Sequence, residues 1–65
     1  MVNLTNSSFA TVIFWINDSK IVRFEVNLLS LNNLLDQVFS LPKSNTFYTK
    51  ITVETGNIVK QIYPQ

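Results

Sequence analysis

From Phe9 to Ile16 the chain reads Phe-Ala-Thr-Val-Ile-Phe-Trp-Ile, almost entirely β-branched and aromatic. That composition predicts a strand. Ala10, Val12, Phe14 and Ile16 share one face; Phe9, Thr11, Ile13 and Trp15 share the other. Both faces are largely apolar, so both are expected to be covered. Asn17-Asp18-Ser19-Lys20 then supplies turn chemistry for a tight hairpin. The second strand, Ile21 to Val26, alternates: Val22, Phe24 and Val26 against Ile21, Arg23 and Glu25.

After Asn27 the period changes from 2 to 3.6. Leu31, Leu34, Leu35 and Val38 form one helical stripe, opposite Asn32, Asn33, Asp36, Gln37 and Ser40. Ser30 is the expected N-cap, with Leu29 and Leu34 as a hydrophobic staple. Pro42 is expected to stop the helix, which places it at about residues 30 to 41. Alternation returns from Thr46 to Val53 and again from Ile58 to Tyr63. Between them lies the only glycine, Gly56, expected to supply positive φ in a second hairpin. The order predicts a small α+β domain of ββαββ type, with one helix packed on a four-stranded, mostly antiparallel sheet. Residues 1–7 read as a flexible lead-in and residues 8–65 as the one domain. How the two hairpins pair with each other is not encoded in the alternation.

Length sharpens this picture. A chain of 65 residues buries only about 60% of its unfolded surface. It contains no Cys and no His, so disulfides and Cys/His zinc sites cannot reinforce it. Association is the remaining source of stability. Only 14% of residues are charged, against about 25% in ordinary soluble domains. A net charge of +1 gives no footprint for duplex DNA or anionic lipid. The longest apolar run, Val12 to Ile16, is far too short to span a bilayer, so no membrane partner is expected. Residues 1–8 carry no Lys or Arg, hence no signal-peptide pattern. Together with the missing Cys this points to the cytoplasm. Sequons begin at Asn3, Asn6 and Asn17, and eight Asn with twelve Ser or Thr produce such triplets by chance.

The inventory excludes most catalysis. Without His or Cys no Ser-His-Asp triad, Cys-His pair or His base exists. One glycine cannot build a phosphate-binding loop. Asp18, Glu25, Asp36 and Glu54 lack metal-ligand spacing and read as solvated charges. No catalytic, cofactor or metal residue is assigned, and a non-enzyme is expected.

The informative feature is surplus apolar surface. One helix covers one face of a sheet, yet Phe9, Ile13 and Trp15 point to the other, with Ile21 beside them across the hairpin. Such a patch marks a protein interface. The first strand, free of charge from Phe9 to Ile16, would also be an unguarded edge if it lay at one. The expected function is a small protein-binding module, an inhibitor, adaptor or accessory subunit, acting as a homodimer through that face or a strand edge. Compact phage-type inhibitors of host enzymes are one such class. The alternative is a single-stranded nucleic-acid binder, its sheet face carrying Arg23, Tyr48 and Lys50.

Overall fold

In the computed structural model, which describes residues 8–64, β1 (Phe9–Asn17) and β2 (Lys20–Asn27) form the first hairpin. The expected lead-in at residues 1–7 lies outside the described residues, as does Gln65. Asn17 closes the turn: its Oδ1 accepts from the Ser19 N–H at 2.8 Å and from the Ser19 hydroxyl at 3.1 Å. This side-chain mimic of a backbone turn is the chemistry Asn favours. The register shifts between Trp15 and Asn17, a bulge at Ile16.

Helix α1 (Leu28–Phe39) follows β2 without a loop. Its start is corrected from Ser30. Asn27 is the N-cap, its Oδ1 accepting from the Leu29 N–H at 2.8 Å. The Leu28 N–H donates to the Ser8 carbonyl at 2.8 Å, so the last bond of the β1–β2 ladder also satisfies the first turn of the helix. Ser30 therefore lies inside the first turn, and Leu29, 93% exposed, makes no staple. The helix also ends earlier than expected. The N–H and hydroxyl of Ser40 both donate to the Asp36 carbonyl, at 3.0 and 2.7 Å. Leu41 N–H reaches Val38 at 3.1 Å. Asn27→Ala is expected to lower stability by about 1 kcal/mol, whereas Ser30→Ala should stay within about 0.5 kcal/mol. Urea melts of the two variants test the assignment.

A 3-10 turn at Lys43–Asn45 leads to β3 (Lys50–Thr55) and β4 (Ile58–Ile62). β3 starts four positions later than the alternation suggests. Thr49 directs its N–H and its hydroxyl to the Trp15 carbonyl, at 2.7 and 3.0 Å. That double bond to one acceptor breaks the regular ladder and frees Tyr48 to turn into the core. Gly56 has φ +50°, the positive φ expected of it, in the two-residue loop closed by Thr55 and Ile58.

The sheet order is β2-β1-β3-β4, each neighbouring pair antiparallel. β1 is thus interior, not an edge, and the unguarded edge envisaged for it does not arise. β2 and β3 run parallel to each other with β1 between them, and α1 makes the crossover. On the helix side, Ala10, Val12, Phe14, Tyr48, Ile51 and Val53 are buried. Leu28, Leu31 and Val38 pack against them, with Phe24, Val26 and Ile62 at the margins. The helix lies over β1 and β2. None of its residues is fully buried, so Leu34 and Leu35 remain half-exposed.

Candidate functional site

The antiparallel register converts the second face of the sheet into rows of side chains. Ile21, Trp15 and Lys50 form one row. Arg23, Ile13, Thr52 and Gln61 form the next. Glu25, Thr11, Glu54 and Val59 form the third. The helix lies on the opposite face, and no described element crosses this one.

The first two rows bring Ile13, Trp15 and Ile21 together. Trp15 and Ile21 are cross-strand partners, and Ile13 lies two positions along β1 on the same face. Phe9, exposed at the far end of β1, is separated from them by Thr11 with Glu25 and Glu54 on either side. Four residues were expected in one patch; three share it and the fourth stands beyond an acidic row. Val59 is exposed on the same face beside Glu54, a residue the alternation could not place without the strand order.

Trp15 is held rather than free. Its Nε1–H donates to Thr52 Oγ1 at 3.0 Å, and the Thr52 hydroxyl donates to Gln61 Oε1 at 3.0 Å. The Lys50 ammonium stands 4.5 Å from the indole centroid, within cation–π range. Three strands therefore fix one ring. Thr52 is buried, and replacing its hydroxyl with a methyl orphans the indole N–H. Thr52→Val is expected to destabilise the domain by about 1–3 kcal/mol. A shifted Trp15 emission spectrum in the folded variant, read with a urea melt, checks it.

The residues of the nucleic-acid alternative divide. Arg23 and Lys50 are on this open face, but Tyr48 is buried on the helix side, its ring 6.1 Å from that of Phe14. Alternation placed Tyr48 with Lys50; the break at Thr49 separates them. Lys60 pairs with Val53 and also lies on the helix side. Lys50 in addition occupies the ring of Trp15 that a base would stack on.

Two shallower features lie on the helix side, where α1 leaves β4 uncovered. A hollow of about 490 Å³ is bordered by Val38, Phe39, Leu41, Tyr48 and Tyr63. Another of about 330 Å³ is bordered by Leu31, Leu35, Ile58 and Ile62. Asn32, Asn33, Asp36, Gln37 and Ser40 all face outward from the helix. Among the described residues no three carboxylates gather, and no helix is long and apolar enough to cross a membrane. No family model matches the chain, and no curated protein or solved structure is significantly similar to it.

Proposed function

We propose that this chain is a small non-enzymatic protein-binding module that works as a homodimer and meets its target through the open sheet face. The observation that carries the reading is the Ile13, Trp15, Ile21 patch on a face no described element covers. A pre-positioned aromatic ring loses little conformational freedom on binding, which is what an interface anchor requires. Arg23, Lys50, Gln61 and Glu54 provide a polar rim around it. An inhibitor, an adaptor and an accessory subunit all use such a surface.

The test is affinity capture with the full chain and with Trp15→Ala, followed by titration of the captured protein once purified. Support is a protein held in fixed stoichiometry whose affinity falls at least about tenfold in Trp15→Ala and changes little with salt. Trp15→Ala must retain the far-UV spectrum of the parent. Capture of nucleic acid that is released steeply with rising salt would instead favour a single-strand binder using Arg23 and Lys50.

A further inference from the structure

We propose that β2 is the self-association edge, and that two copies pair their β2 strands antiparallel about a two-fold axis through Phe24 to build one eight-stranded sheet. This rests on the homodimer reading above and names the surface that makes the dimer.

β2 has β1 on one side and, among the described residues, no strand on the other. The bond from Leu28 N–H to the Ser8 carbonyl fixes the phase of the ladder. Hydrogen-bonded and non-hydrogen-bonded pairs alternate, so Val22, Phe24 and Val26 exchange bonds with Phe14, Val12 and Ala10. Ile21, Arg23 and Glu25 consequently direct their N–H and C=O groups outward, along the free edge.

A two-fold axis normal to the sheet pairs residues whose numbers sum to a constant even value. Centred on Phe24, it sets Arg23 opposite the partner's Glu25, and Glu25 opposite the partner's Arg23. Both pairs are of the hydrogen-bonded type, and both put opposite charges face to face. Val22 meets the partner's Val26 on the helix side. Within one chain these charges have no such match: Arg23 stands across from Ile13, and Glu25 from Thr11. Moving the axis by one residue places Arg23 against the partner's Arg23, or Glu25 against the partner's Glu25. The same two charges therefore select this register and reject its neighbours. Ile21 and Val22, each 47% exposed, and Leu29, 93% exposed, add apolar surface on and beside this edge.

The other free edge lacks this match. β4 carries one charge, Lys60, at its middle. Pairing two β4 strands about their centre opposes Lys60 to the partner's Lys60, which guards that edge. Pairing through β2 also closes after two copies instead of propagating. It leaves Trp15 on an open face in each copy, available to a different protein.

The experiment is sedimentation equilibrium on the parent chain, Arg23→Glu, Glu25→Arg, an equimolar mixture of those two, the double variant with both changes, and Trp15→Ala. The parent is expected to be dimeric. Each single reversal opposes like charges twice and should weaken the dimer by about tenfold or more. In the mixture every facing pair is again Glu against Arg, so a heterodimer forms; the double variant likewise regains the dimer. Trp15→Ala stays dimeric. Residue-resolved amide exchange on the parent needs no variant: Arg23 and Glu25 amides should gain protection with concentration, while β4 amides do not. A monomeric parent, or a dimer indifferent to both reversals, overturns the proposal. A dimer dissociated by Trp15→Ala and not by Arg23→Glu also overturns it, while leaving the binding role of the open face intact.

Discussion

Ile51→Ala is expected to remove a large share of the domain's stability and to move its urea midpoint sharply downward. Ile51 has no exposed surface and sits in β3 between Phe14 of β1 and Ile62 of β4. Truncating a buried isoleucine costs about 2–5 kcal/mol, because both sides of the cavity are held by strands that cannot collapse onto it. At about 0.05–0.15 kcal/mol per residue, a domain of this length holds roughly 3–10 kcal/mol in total. Far-UV circular dichroism with a urea titration reads the result, and a midpoint close to that of the parent would refute the core assignment. The helix stripe behaves differently. The leucine pattern alone suggests the same 2–5 kcal/mol for Leu34→Ala and Leu35→Ala. Both side chains are half-exposed at a helix with no fully buried residue. Each substitution should therefore cost only about 1–2 kcal/mol, in proportion to the area lost.

Phe14→Ala should be as damaging, for a different reason. Its ring meets Phe24 edge-on at 5.6 Å, Phe47 edge-on at 5.4 Å, and Tyr48 at 6.1 Å. One side chain thus ties β2, β1 and the segment before β3 together. The deletion costs about 3–5 kcal/mol for the cavity, and each lost aromatic pair adds about 0.5–1.5 kcal/mol. Phe14→Leu retains most of the volume and should stay folded. It should still lose the near-ultraviolet dichroism that comes from Tyr48 in a fixed aromatic setting. If Phe14→Ala melts like the parent, the aromatic cluster is not what anchors that segment.

The two hairpins, the helix and the role of Gly56 were legible because each depends on residues near in sequence. Alternation placed Ile13 with Trp15, and the Asn17–Lys20 turn brought Ile21 beside them. What alternation cannot report is which strand lies next to which. The pairing of β1 with β3 depends on side chains far apart in the chain. The helix start was misplaced because Asn27 and Ser30 are both good caps. The choice falls to Asn27 because the Leu28 N–H is already held by Ser8, a tertiary bond with no local signature. Tyr48 was assigned to the wrong face because period-2 counting assumes an unbroken strand, and Thr49 breaks it. Phe9 shares parity with Ile13, but parity carries no information about the acidic row between them.

The sheet order also governs how the chain reaches its native state. Each hairpin needs only a short loop to close, an event of about 1–10 μs. The two hairpins become one sheet only when β1 docks on β3, through contacts such as the Trp15–Thr52 bond, 37 positions apart. Closing so long a loop is entropically costly before any contact is gained, so this docking is expected to be the slow step of folding. Substitutions along the Val12–Val53 and Phe14–Ile51 pairs, which form in that step, should slow refolding. The seam between the hairpins is therefore the barrier the chain crosses to fold and, by microscopic reversibility, the first part to come apart.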